Sequence, residues 1–351
     1  MTGLTYPQIK IKKSDKIVTF DRLLENVTDK KVFDVDSNSL FNRFLALINK
    51  ESDIKKYLCY ELTPYPLSIF KNGFMRPSQK SKLKDELLKN VELTDMFLKE
   101  NYFIIDGGWL IYKVRWGQAE NFGDIGKAYF EFLKSNYGDN FVVVFDGYDH
   151  GTKDHEHLKR YKKKNCDFVF NSSTSVLINQ DDCLASIRGK MKIIEYLVSF
   201  LSKEKIKVVH ANDDADVLII KQAIDLSEST NNVTIISVDT DILMLLLYHF
   251  EKFRSNLYLP VSSKKHGSNL RLVNIKYLHS CLGSNLSEIL LYYHAFSGCD
   301  TTSSIYGFGK VRQWNKIKQS DLIHEHLITL SNVQATHNDI KKAGNSIFSF
   351  F

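Results

Sequence analysis

At 351 residues the chain has room for one large domain or two smaller ones, and its 43% hydrophobic and 25% charged residues are those of an ordinary globular protein. A net charge of +6 excludes a histone-like polycation yet leaves a surface that tolerates nucleic acid. Five scattered cysteines, Cys59, Cys166, Cys183, Cys281 and Cys299, form no CxxC pair, which argues against a zinc site or a disulfide framework and for a reducing compartment.

In chain order, residues 1–16 are polar and basic and lack the apolar core of a signal peptide. No apolar run reaches the ~18 residues that span a bilayer, so the expectation is a soluble intracellular, nuclear protein without a membrane partner. Residues 1–100 read as an N-terminal extension of unknown function. They hold four of the five prolines, three of them within residues 63–90, a basic polar stretch at 78–84, and helical periodicity at 40–48 and 85–97, but no chemical motif.

From Asn101 the rhythm changes. Residues 102–105 predict a short strand ending in Asp106, followed by Gly107-Gly108 and an aromatic-rich helix over 109–116. A helix over 124–137 leads to a strand at 141–145 that ends in Asp146-Gly147. Six basic residues within twelve positions follow: Lys153, Lys159, Arg160 and Lys162–Lys164. Contact with phosphates is one reading of them; a solvated helix face or a nuclear-localisation run is the other. Residues 166–182 read as a polar loop, and 188–204 as a helix whose Ile194, Leu197, Val198 and Leu201 face a core.

Residues 206–247 carry the strongest signal. Strands at 206–209 and 233–238 each run into acidic residues, Asp213, Asp214 and Asp216 in the first case and Asp239 and Asp241 in the second, and then into a helix. In an open α/β sheet, ligands bind at the carboxyl ends of the strands. Neighbouring strand ends would therefore deliver four or five carboxylates to one place. Like charges that close repel, and a hard divalent cation such as Mg²⁺ or Mn²⁺ is the simplest remedy. A single Asp here is as readily an ordinary helix N-cap, but the repeat favours the metal reading. Residues 251–272 look less regular. The apolar helix at 286–296 precedes SGCDTTSSIYGFGK, where Gly307-x-Gly309 has the form of a hairpin whose backbone N–H groups can hold a phosphate, although a lone GxG is usually a turn.

These blocks together resemble the structure-specific 5′-nucleases, the flap endonuclease and XPG-like family. FIIDGGWLIY is similar to the first acidic block, FDGYDHGTKDHEHLKR to the next, ANDDADVLI and SVDTDILML to the two paired-acid blocks, and SGCDTTSSIYGFGK to the last. The resemblance covers about residues 101–318. It implies an α/β PIN-like fold, with a mainly parallel central sheet flanked by helices, a hairpin DNA-binding element at about 297–318 and a tail at 319–351. It further implies a metal site of Asp106, Asp146, Asp214, Asp216, Asp239, Asp241 and Asp300 for two Mg²⁺ or Mn²⁺ ions, with Lys153 and Arg160 as the catalytic basic pair. Tyr112 would stack on a base, Lys159 and Lys162 would touch phosphates, and Gly307, Gly309 and Lys310 would fall in the duplex-binding hairpin. The expected partner is nucleic acid, DNA ahead of RNA. The sequence departs from the family at Asp214 and Asp216, which replace glutamates, in the hundred residues ahead of Asp106, and at Asp213, which has no counterpart and reads as a helix cap. Two alternatives stay open: a catalytically inactive relative that binds nucleic acid or acts as a scaffold, and a PIN-type ribonuclease.

Overall fold

The structure is a computed structural model and describes residues 46, 66, 68–71, 74–89, 91–95, 101–147, 170–212, 214–261 and 271–350. Apart from residue 46, the helical periodicity at 40–48 lies outside the described residues, as do the basic run from Lys153 to Lys164 and Asp213. The chain divides into two units, Met1–Pro77 with Ser303–Gly307, and Ser78–Thr302 with Phe308–Phe351.

In the smaller unit, β1 (Phe70–Lys71) and β2 (Phe74–Met75) form an antiparallel pair. The segment at 303–306 is tied to this hairpin by backbone bonds. The Ser304 N–H donates to the Arg76 carbonyl (3.1 Å) and the Tyr306 N–H to the Ser68 carbonyl (2.7 Å). The Arg76 guanidinium lies 4.7 Å from the centre of the exposed Tyr306 ring, a cation–π contact.

The larger unit is built on a sheet. Its elements in order are α1 (Lys80–Leu87), β3 (Leu93–Asp95), β4 (Asn101–Asp106), α2 (Gly107–Lys113), α3 (Phe122–Tyr137), β5 (Phe141–Phe145), α4 (Gln180–Leu184), α5 (Ile187–Lys203) and β6 (Val208–His210). There follow α6 (Asp216–Ser227), β7 (Asn232–Ile236), α7 (Thr240–Tyr248), β8 (Asn256–Val261), β9 (Arg271–Asn274), α8 (Ile275–Leu282), α9 (Ser284–Phe296), α10 (Lys310–Ile317), α11 (Asp321–Ser331) and α12 (His337–Phe350). The strands lie in the order β3-β9-β8-β7-β4-β5-β6. Strands β6, β5, β4, β7 and β8 run parallel, while β9 and β3 are antiparallel additions at one edge. This is the expected α/β architecture, a mainly parallel sheet flanked by helices.

A parallel sheet covered on both faces needs strands that are apolar throughout, and FVVVF of β5 is buried at every position. Period-two alternation then divides the core. Ile104, Val142, Val144 and Ile235 pack with α1, α6, α7, α9 and α10 on one face. Ile105, Val143, Phe145 and Ile236 pack with α2, α3 and α5 on the other. Each such side chain fully buried contributes on the order of 1.5–3 kcal/mol.

Chain order and sheet order disagree at one place, and it is the place that matters. From central β4 the chain moves outward to β5 and β6, then returns across to β7 on the other side of β4. That reversal is a topological switch point, where loops at the carboxyl ends of the strands diverge and leave a crevice. Gly107 allows a close approach beside it. A methyl group there would lie 2.2 Å from Cδ1 of Phe145, so α2 can leave β4 tight against the end of β5.

Two parts of the fold differ from the sequence expectation. The helical signal at 85–97 resolves into α1, which begins at Lys80, and strand β3. Leu83 and Leu87, four apart, enter the core and set the helix, while the Leu93–Asp95 backbone completes the sheet edge against Arg271–Val273. The stretch at 251–272 contains β8, in which Pro260 looks like a breaker. Pairing with β7 stops at Tyr258, so the missing Pro260 N–H falls where β8 needs no donor on that side. No described helix is long and apolar enough to cross a membrane.

Candidate metal centre

Strands β4 and β7, which meet at the switch point, each end in a carboxylate that also begins a helix. Asp106 closes β4 and caps α2, its Oδ1 accepting from the N–H groups of Gly108 (2.8 Å) and Trp109 (3.3 Å). Asp239 follows β7 and caps α7, accepting from the Asp241 N–H at 2.9 Å. Past β5, Asp146 accepts from the Ala215 N–H at 3.1 Å, and past β6, Asp214 accepts from the Asp216 N–H at 3.0 Å. The N-cap and metal readings are thus not rivals. Backbone N–H groups and, at α2 and α7, helix dipoles steady the same carboxylates that gather at the strand ends.

The carboxylates are close. Ligand atoms of Asp216, Asp239 and Asp241 all lie within 4.8 Å of one another. A methyl group placed on Gly108 would be 3.1 Å from Asp106 Oδ1 and 3.3 Å from Asp146 Oδ2, so these two flank a residue that has no side chain to separate them. Burial, and then the charge of Asp146, push the Asp106 carboxyl up to about 6, against the pull of its hydrogen bonds to Ser237, Trp109 and Gly108. Ser237 joins the two groups. Its buried hydroxyl donates to Asp106 Oδ2 (2.8 Å) and accepts from the Asp239 N–H (3.1 Å).

The Asp239 side holds a cation of its own. The Lys80 ammonium, carried by α1, lies 2.9 Å from Asp239 Oδ1, 3.3 Å from Asp241 Oδ2 and 3.1 Å from Asp300 Oδ2. Asp241 Oδ1 also accepts from His294 Nε2 at 2.8 Å. Burial pulls the His294 ring below its ordinary range, so it stands as the neutral tautomer that donates through Nε2.

The donor set fits a hard divalent ion. It consists of carboxylate oxygens, which suit Mg²⁺ or Mn²⁺ rather than softer metals. Metal–oxygen bonds of about 2.1 Å place octahedral ligand atoms roughly 3–4.2 Å apart, the scale on which Asp216, Asp239 and Asp241 already sit. An ammonium seated among three of the carboxylates shows that the pocket accommodates positive charge.

Of the residues expected from the sequence, Asp106 and Asp146 meet at Gly108, and Asp216, Asp239 and Asp241 form the tight group. Asp300 joins them through Lys80, and Asp214 through the backbone of Asp216. Tyr112 stands on α2, half-exposed, with the Lys190 ammonium 5.9 Å from its ring centre. Lys153, Lys159, Arg160 and Lys162 lie outside the described residues. Gly307 has a left-handed backbone (φ 77°) in the smaller unit, and Gly309 is the N-cap of α10. Lys310 points inward: its buried ammonium donates to the carbonyls of His294 and Gly298, joining the end of α9 to the start of α10.

Sequence reading missed Ser237, His294 and Lys80. A serine inside the apolar run VTIISV and a histidine in the apolar helix before Asp300 were visible signals. Lys80 gave none, since its partners lie at least 159 positions away.

Comparison with protein-family models finds no match, and comparison with curated proteins finds none. Among solved structures, the chain is similar to the catalytic core of Rad2 in complex with DNA substrate, at 16% identity and a TM-score of 0.46, covering 76% of this chain and 77% of that one. It is also similar to human GEN1 in complex with Holliday junction DNA, at 12% identity and a TM-score of 0.45, covering 75% of this chain and 61% of that one. The chain thus spans about three-fifths of GEN1. A third likeness is to a mutant of the T5 5′-exonuclease, at 15% identity and a TM-score of 0.37, covering 71% of this chain and 84% of that one.

Proposed function

We propose that the chain is a metal-dependent nuclease that hydrolyses phosphodiester bonds in branched or 5′-ended DNA. The observation that carries this reading is the meeting of carboxylates from the ends of β4, β5, β6 and β7 at the switch point of the sheet, with ligand atoms of Asp216, Asp239 and Asp241 within 4.8 Å of one another. Chance seldom places so many acids together, because their mutual repulsion and desolvation cost several kcal/mol. In a nuclease that cost is offset by bound cations.

Mg²⁺ or Mn²⁺, two ions in the fully loaded site, would supply Lewis-acid polarisation of the phosphate and lower the pKa of a bound water. Asp106 and Asp146 would hold one side of the centre. Asp214, Asp216, Asp239, Asp241 and Asp300 would hold the other, directly or through water. Ser237 fixes the Asp106 oxygen and, through the Asp239 N–H, sets the distance between the two sides. His294 fixes the rotation of Asp241 by donating to one oxygen, while the other meets Lys80. Outside the centre, the half-exposed ring of Tyr112 offers a platform for a base next to the scissile phosphate. Lys153 and Arg160, assigned from the sequence blocks, would stabilise charge on the phosphoryl oxygens, an effect worth about 3–4 kcal/mol per donor. Lys159 and Lys162 would add phosphate contacts, and the segment of Gly307, Gly309 and Lys310 would approach the duplex through its backbone.

The test is cleavage of a 5′-flap DNA beside a single-stranded RNA of equal length, with Mg²⁺ and with Mn²⁺. The expected outcome is a cut flap and an intact RNA. Cleavage of the RNA alone would make the chain a PIN-type ribonuclease, and cleavage of neither would leave a nucleic-acid-binding scaffold.

A further inference from the structure

The Lys80 ammonium is a cation already installed in the carboxylate cluster. Helix α1 is held against the core by Leu83 and Leu87, both buried. That anchoring leaves Lys80 and Lys84, also one turn apart, facing the loop after β7. Lys84 donates to the Val238 carbonyl at 3.1 Å. One turn earlier, Lys80 reaches Asp239, Asp241 and Asp300 at 2.9, 3.3 and 3.1 Å. The four side chains are only 16–29% exposed, so water screens them less than it would a surface pair. Burial pulls the Lys80 ammonium down, but Asp239, Asp241 and Asp300 outweigh it and keep the group charged.

Resting on the nuclease reading above, we propose that Lys80 competes with a divalent cation for the Asp239–Asp241–Asp300 half of the centre and so sets how many ions the chain holds. With Lys80 seated, its ammonium neutralises one of the three charges there and occupies oxygens that an ion needs. Among the described residues no cation contacts Asp106 or Asp146, so that half is expected to load first. A second ion must displace a tethered ammonium, whose effective concentration is on the order of millimolar or higher, and must also shed its own water. The second site is therefore weak, and Lys80 is the reason.

The test is Mn²⁺ binding, with free ion counted by electron paramagnetic resonance, in the full chain and in Lys80→Met and Lys80→Arg. The expected result is one tight ion in the wild type and in Lys80→Arg. Lys80→Met is expected to take two, or to bind the weaker ion at least about tenfold tighter. Thermal melting gives a second readout. Lys80→Met, with three carboxylates uncompensated, should melt lower than the wild type without metal and recover more on addition of Mn²⁺. Two equally tight ions in the wild type, or identical binding and metal-induced shifts in wild type and Lys80→Met, would overturn the role of Lys80 while leaving the metal centre intact. Absence of Mn²⁺ binding in all three proteins would overturn both.

Discussion

Asp106 shows how one side chain serves local structure and the site at once, and at what cost. Its Oδ1 caps α2 and its Oδ2 accepts from Ser237; in asparagine the cap bonds to Oδ1 would survive, and the amide would donate to the serine oxygen in place of the bond now received from the hydroxyl. The charge itself is unfavourable in the metal-free chain, because burial and the neighbouring Asp146 raise the carboxyl to about 6. A group whose folded pKa is raised from about 4 to about 6 loses stability as it ionises, a penalty of about 1–3 kcal/mol once pH exceeds 6. Asp106→Asn is therefore expected to melt at or above the wild-type temperature without metal at pH 7.5. The same variant should lose the stabilisation that Mg²⁺ gives the wild type. Differential scanning calorimetry with and without Mg²⁺ checks both parts, and a lower metal-free melting temperature would contradict the geometry.

Helix α1 packs against the sheet of the larger unit through two leucines. Leu83 is fully buried in the face formed with α6, α7 and α10, and its truncation to alanine leaves a cavity costing about 2–5 kcal/mol. Because Lys80 sits one turn from Leu83, loosening the helix also releases the ammonium from Asp239, Asp241 and Asp300. Leu83→Ala should lower the melting temperature clearly, whereas Lys82→Ala, on the exposed side of the same helix, should leave it unchanged. Chemical denaturation of both variants distinguishes the core contact from a general intolerance of the helix. Equal losses would mean that α1 does not dock through Leu83.

At the scale of the molecule, local patterns reached the centre of the sheet and stopped at its edges. Strands β4, β5, β6 and β7 were legible because buried parallel strands are apolar runs, and their acids were legible because they stand at the strand ends, where Asp106 and Asp239 also cap the next helix. The edge was not. Strand β3 is three residues long and takes its identity from pairing with β9 rather than from its own composition. Strand β8 carries a proline that only its position relative to β7 makes tolerable. In the site, four aspartates announced themselves in two short blocks at strand ends, yet the groups that orient and neutralise them did not. Ser237 and His294 are polar residues in apolar surroundings, a weak signal taken alone. Lys80 acts across a separation that no local pattern records.

The central claim is that the carboxylates gathered at the switch point drive divalent-dependent cleavage. Asp239 tests it most directly, since it follows β7, caps α7 and touches Lys80 without belonging to the hydrophobic core. Single-turnover cleavage of a 5′-flap DNA in Mg²⁺ should fall by at least about a hundredfold in Asp239→Asn, while binding of the same DNA, followed by fluorescence anisotropy, stays within about twofold, a shift below 0.5 kcal/mol. Wild-type cleavage by Asp239→Asn would contradict the account.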